Sequence, residues 1–237
     1  MKKTLVIFLF LIGIASIMVI YAYRGTWGKT DIEFRIHIND QLIQESTYGE
    51  PPTFAIWLED PVSATKKTVF VTRRAASGDW EGKAAVPVAL PLWFEVYKEE
   101  NRTNDLPNYK NPASIAITGA TPKPGYFKTR VRVDTGSKWI CWIEVNLSGD
   151  YNENYQEYDP VEKIEDEFGS GQPALVYKAA IVAEKGITII PEIVGMCIGD
   201  ATDGSIIQPI KGITTAKDIF DEISIALVKS NPKIIDM

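Results

Sequence analysis

The chain has 237 residues with hydrophobics at 45% and charges at 24%, an ordinary globular balance that excludes wholesale disorder. Its net charge is -6, and with Lys2 and Lys3 set aside 23 basic residues face 31 acidic ones, so a phosphate backbone is not a favoured partner and no nucleic acid is expected. One histidine and two cysteines exclude a zinc site of the usual kind and a cysteine-dense disulfide scaffold.

The first element is apolar. Residues 4–23 carry no charge, with Lys2 and Lys3 before them and Arg24 after. A helix of about 20 residues at 1.5 Å per residue spans roughly 30 Å, the thickness of a bilayer's hydrocarbon core. Residues 1–24 are therefore expected to form a transmembrane signal-anchor, with the short tail inside and the bulk extracytoplasmic in the periplasm. The alternative is a cleaved export signal that releases the protein to the periplasm, although Tyr21-Ala22-Tyr23 is a poor cleavage site. Residues 25–30 read as a glycine-containing linker, and roughly 207 residues, 31–237, as a single domain.

Period-two alternation then dominates. Ile32, Phe34, Ile36 and Ile38 share one face, with Glu33, Arg35, His37 and Asn39 opposite, so the lone histidine falls on a polar face. Further strands are predicted over 54–58, 68–72, 92–97, 127–133, 139–147 and 223–228. Residues 174–183 and 187–190 read as the arms of a hairpin turning at Glu184-Lys185-Gly186. One short helix is predicted after a Thr215 cap, over Ala216–Glu222. Half-polar strands with almost no helix to cross over between them imply antiparallel pairing. The expected fold is all-β: an antiparallel β-sandwich of the immunoglobulin or fibronectin kind.

Two long loops are the candidate sites. Residues 73–91 offer Arg73, Arg74, Trp80 and Lys83, and residues 148–173 offer Tyr151 and Tyr155 in an acidic context. Together they are expected to bind a ligand or a membrane or extracytoplasmic protein partner. Asp150, Asn152 and Asn154 alternate as the ligands of a calcium loop do, but Tyr155 and Val161 stand where its glycine and distal carboxylate belong. An Asx-type turn is the alternative. Cys141 and Cys197 are candidates for a disulfide, with a buried thiol at Cys141 as the alternative. No serine-hydrolase elbow, zinc-protease motif or phosphate loop occurs, so catalysis is not expected, and a carboxylate-based hydrolase stands as an alternative.

Several segments carry a resemblance. Residues 52–60 (PTFAIWLED), 67–71 (KTVFV), 119–125 (GATPKPG), 144–152 (EVNLSGDYN), 171–176 (GQPALV) and 212–216 (GITTA) resemble the predicted periplasmic proteins catalogued as domain of unknown function 2271. The resemblance implies export, a β-rich module and association with extracytoplasmic flavin and electron-transfer systems; it brings no catalytic residues. Thr118-Gly-Ala-Thr121 also resembles the short motif on which some proteins carry flavin mononucleotide through a threonine phosphoester. That likeness would make Thr121 the acceptor of a flavin-carrying redox protein, although Ile115 stands where the motif usually has an aspartate. The reading as a whole is a membrane-anchored binding or accessory module with no cofactor expected, calcium and flavin mononucleotide being the alternatives.

Overall fold

The alternation from Lys29 to Ile38 does build a strand. It is β1 of a computed structural model that describes residues 12–14, 16, 18, 20, 23–78, 86–113, 125–199 and 204–232. After it come the short helix α1 (Asp40–Glu45) and strands β2 (Thr53–Glu59) and β3 (Lys66–Val71). Three helices follow: α2 (Arg73–Ser77), α3 (Val86–Ala89) and α4 (Pro91–Asn101). Strands β4 (Gly125–Asp134) and β5 (Lys138–Asn146) come next, and then the two-residue strands β6 (Tyr158–Asp159) and β7 (Ile164–Glu165). The remainder is β8 (Ala174–Val182), β9 (Thr188–Ile189), β10 (Glu192–Cys197), a 3-10 turn (Thr215–Asp218) and β11 (Phe220–Lys229).

Strands β6 and β7 pair with each other, and the other strands form two antiparallel sheets packed as a sandwich, in the orders β4-β1-β11-β9 and β10-β8-β5-β2-β3. Ile32, Phe34, Ile36 and Ile38 of β1 enter the core with Phe54, Ile56 and Leu58 of β2 and Ile143 and Val145 of β5. Phe54 sits at its centre, its ring 5.0 Å from Phe70, 5.3 Å from Phe127 and 5.4 Å from Phe220.

The wet face of the four-stranded sheet holds charges under cover. Glu33 is almost fully buried beneath Arg35, Lys128 and Arg130, and Asp31 accepts hydrogen bonds from Arg132 and Ser230. Burial alone would raise both carboxyls, but the arginines and Ser230 outweigh it and hold them below the usual carboxylate range.

Four expectations are corrected. Residues 92–97 are not a strand: Trp93, Val96 and Tyr97 are buried at helical spacing on α4, which starts on Pro91 and stops at Arg102 in the left-handed region. The aromatic and β-branched composition imitated a strand. The arms at 174–183 and 187–190 do not pair with each other. β8 belongs to the five-stranded sheet, β9 pairs with β11 in the other, and the turn between them crosses the sandwich. The predicted helix at 216–222 is a single 3-10 turn, because β11 already begins at Phe220. Of the predicted linker, Lys29 and the buried Thr30 belong to β1.

The described positions from 12 to 20 are helical and expose Ile12, Ile14, Met18 and Ile20. Among the described residues no helix is long and apolar enough to cross a membrane, and most of the run 4–23 lies outside them.

Phe54 tests the packing. Phe54→Ala is expected to destabilise the fold by about 3–5 kcal/mol, because a ring held by three others leaves a cavity that cannot collapse, and urea unfolding measures the loss.

Candidate functional site

Of the two segments that the sequence reads as loops, the first is corrected, since residues 73–77 and 86–89 are helical, and of its described residues only Val88 shares a cleft with the second. The five-stranded sheet presents Ala55, Trp57, Val71 and Trp142 on the side away from the core, and these apolar groups must also be buried. Helices α2 and α4 cover them with Ala75, Ala76, Trp93 and Val96, joined by Leu90, the residue before α4. This cover brings Val88 of α3 against Gly199, which follows β10. A Cβ on Gly199 would lie 2.6 Å from the Val88 Cα, so only glycine allows the approach.

Between these groups and the loop 148–173 lies a cleft of about 490 Å³. Val88, Ile198 and Gly199 form one side, with Asn146 and Pro173 also in its lining. Tyr155 and Phe168 supply aromatic surface, and Asp159, Glu162, Glu165, Asp166 and Glu167 supply carboxylates. Two of these are structural. Asp159 accepts from the backbone N–H groups of Val161 and Glu162, and Asp166 accepts from Phe168, Ser170 and Gly171. The exposed carboxylates of Glu162, Glu165 and Glu167 make no hydrogen bond or ion pair among the described residues. The cleft is thus aromatic and uncompensated in charge, a combination suited to a cation.

The loop's entry is held by a polar network. The Asp150 carboxylate accepts from Thr215 Oγ1 at 2.7 and 2.9 Å and from Gln172 Nε2 at 2.8 Å, while Gln172 Oε1 accepts from the Thr214 N–H at 2.7 Å. Burial pushes the Asp150 carboxyl up, against the lowering effect of its Thr215 and Gln172 hydrogen bonds. Asn152 closes the Asx turn, accepting from the N–H groups of Asn154 and Tyr155, and donates to the Gly212 carbonyl at 2.8 Å. Tyr155 donates to the Lys211 carbonyl at 3.1 Å.

The predicted residues divide. Tyr155 and Asn154 line the cleft. Arg74 is paired with Glu50, Arg73 is exposed on α2, and the Tyr151 hydroxyl lies 3.5 Å from that of Tyr48; none of these three lines the cleft. Trp80, Lys83 and Thr121 lie outside the described residues. Asp150, Asn152 and Asn154 spend their side chains on the protein, and among the described residues no group of three or more His, Cys, Asp or Glu could hold a metal ion. His37 is on the wet face, 2.5 Å from Asp221. The disulfide expectation is corrected: both cysteines are buried and no disulfide joins them. Cys141 faces the core and Cys197 the helical cover, with β8 between their strands. Burial also pushes the Cys141 thiol up, which leaves it inert.

Sequence reasoning missed the cleft residues Val88, Ile198 and Gly199, and it missed Glu144. It is wholly buried on the covered side of β5, and its carboxyl accepts from the Leu92 and Trp93 N–H groups at 3.1 and 2.7 Å, at the start of α4. Burial pushes it up to about 8, against the lowering effect of these hydrogen bonds and one from Cys197. A carboxylate at a helix start is a familiar cap, but nothing in the spacing shows that it comes from a strand about 50 residues away.

The geometry defines a β-sandwich with a helical cover on one sheet and an acidic end cleft. No protein-family model matches the chain, and no curated protein or solved structure matches it either.

Two outcomes are expected. Asp150→Ala orphans Gln172 and Thr215 donors and is expected to cost about 2–3 kcal/mol in urea unfolding, while millimolar calcium leaves the melting temperature unchanged. The Glu144 carboxyl has a higher pKa folded than unfolded, so folding takes up a proton between about 4.5 and about 8. Stability from this group is therefore greatest in acid and falls as pH rises through that window. Wild type should lose melting temperature relative to Glu144→Gln between pH 5 and pH 8.5; parallel profiles would contradict the assignment.

Proposed function

We propose that the protein is a membrane-anchored, extracytoplasmic binding module and that the acidic end cleft takes a basic segment of a protein partner. The observation that carries this reading is the set of uncompensated carboxylates, Glu162, Glu165 and Glu167, beside Tyr155 and Phe168 in one concave site. The surrounding segments strengthen the field: residues 39–50 and 148–173 hold eleven acidic side chains against Lys163 alone. Such an end attracts cations and speeds their encounter.

An immunoglobulin- or fibronectin-like sandwich suits this role, because its packed faces leave the end loops as the binding elements. The uncharged run 4–23 supports anchorage in the cell membrane, with release to the periplasm by cleavage as the alternative. The resemblance to the domain of unknown function 2271 proteins supports export and a flavin or electron-transfer setting. Catalysis is not part of the reading. Glu144 has the raised pKa of a catalytic acid but no exposed surface, and its hydrogen bonds go to the start of α4.

A lysine-rich peptide labelled with a fluorophore is the probe. It should bind the wild-type protein in a salt-sensitive manner, and binding should fall at least about tenfold when Glu162, Glu165 and Glu167 are all changed to Lys, with the melting temperature held. Equal binding by the triple variant would sink the reading.

A further inference from the structure

The end of the sandwich opposite the cleft carries a different surface. The registers place five links there: the entry to β1, the β2–β3 turn, the β4–β5 turn, the β8–β9 crossing and the exit from β11. They are stitched to one another. Thr135 N–H donates to the Gly28 carbonyl at 2.8 Å, Gly136 N–H to Ala183 at 3.1 Å, and Gly186 N–H to Leu227 at 2.8 Å.

Three of these links end in exposed apolar side chains. Trp27 is 88% exposed, Val62 93% and Ile187 41%. Each is held in place by its backbone. Asp60 Oδ1 accepts from the Val62 N–H at 2.7 Å, the Ile187 carbonyl accepts from Leu227 at 2.8 Å, and Trp27 lies in a turn closed by Lys29 N–H to the Thr26 carbonyl at 3.2 Å. Lysines 138, 185 and 229 stand on the same end, and none of them forms an ion pair among the described residues.

The entry to β1 is not a slack tether. The Thr26 N–H and hydroxyl both donate to the Tyr23 carbonyl, at 3.0 and 2.9 Å. Arg132 donates to the Gly25 carbonyl at 3.3 Å and to the Asn231 carbonyl at 2.9 Å. The chain that leaves the apolar run is thereby fixed to this end within a few residues.

We infer that this end rests on the lipid headgroups, with Trp27, Val62 and Ile187 in the interface and the lysines against anionic lipid. The inference rests on the reading that residues 4–23 anchor the chain. A tryptophan beside a membrane segment belongs at the headgroup level, where its ring is half desolvated and its N–H stays wet. Lysines near a negatively charged surface are attracted to it over about a Debye length. The opposite end is strongly acidic and would be repelled. The charge division therefore points the cleft away from the bilayer.

The test uses the full chain with one cysteine added, as Val62→Cys, Ile187→Cys or, at the cleft, Asn154→Cys. The native thiols are buried and stay unlabelled in folded protein. Each variant carries an environment-sensitive fluorophore and is reconstituted into vesicles of phosphatidylcholine and phosphatidylglycerol. Labels at 62 and 187 should shift to the blue, resist quenching by aqueous iodide and be quenched by nitroxide lipid, while the label at 154 does none of these. Vesicles without phosphatidylglycerol, or Lys138→Glu with Lys185→Glu, should weaken the shielding. Water-like labels at 62 and 187 on protein that floats with the vesicles would overturn the docking and leave the anchor standing. Protein that does not float with the vesicles would overturn the anchor, and the docking with it.

Discussion

Strands β2 and β5 carry large apolar side chains on both faces, and a sheet of that kind cannot leave either face in water. Phe54, Ile56 and Leu58 look toward the four-stranded sheet, while Ala55 and Trp57 look the other way. Burying one such isoleucine, leucine or phenylalanine stabilises by about 1.5–3 kcal/mol, so exposing either face would remove a large part of a domain's margin. The inner face is met by β1 and β11. The outer face is met by α2 and α4, and the stacked rings of Trp57 and Trp142 mark where that cover gives way to partly open surface. The cleft follows from the same need, since the chain that supplies the cover passes Gly199 on its way.

Most polar groups trapped by this packing are given a partner, although the buried Tyr177 hydroxyl accepts and donates no hydrogen bond among the described residues. Glu144 receives the first N–H groups of α4, so the group that the cover would otherwise strand also fixes where the helix starts. Thr68 and Glu100 are hydrogen-bonded further along the helix, and Trp93 Nε1 donates to Thr68 Oγ1 at 3.2 Å. On the far sheet Glu33 is buried beneath three cations, which keeps an open sheet face from being a flat apolar one. In each place a charged or hydroxylated side chain sets register, and apolar area supplies the stability.

The strands were legible where the period-two pattern had a wet face, as in β1 and β4, because one side chain in two reports the sheet's orientation. The pattern fails where both faces are covered. Residues 92–97 carry four aromatic or β-branched side chains in a form that suits a strand or a buried helix, and only the contacts with β2 and β3 decide. The crossing after β8 was misread because Glu184-Lys185-Gly186 is good hairpin chemistry, and nothing local tells which sheet will accept the next strand. Of the site, the loop 148–173 and Tyr155 were visible as an acidic, aromatic interruption. Val88, Ile198 and Gly199 were not, since they reach the cleft through the cover and carry no chemistry of their own. Asp150 looked like a ligand because its alternation with Asn152 and Asn154 is common to cation loops and to loops that bind their own backbone.

The place of β1 in its sheet bears on how the molecule is made. It lies between β4 and β11, and its Asp31 is bonded to Ser230, 199 residues further along the chain. During synthesis β1 is made before the other described strands, yet one of its edges stays open until β11 is available. Until then Phe34 and Ile36 lack half of their cover, on a strand with free N–H and carbonyl groups. The ordering entropy of so long a loop must be met before the closing pair contributes anything, so completion of the four-stranded sheet is a late and slow event. A ribosome that holds back β11 therefore holds the domain in an unfinished, adhesive form, and a holding chaperone that masks the β1 edge meets a need written into the topology.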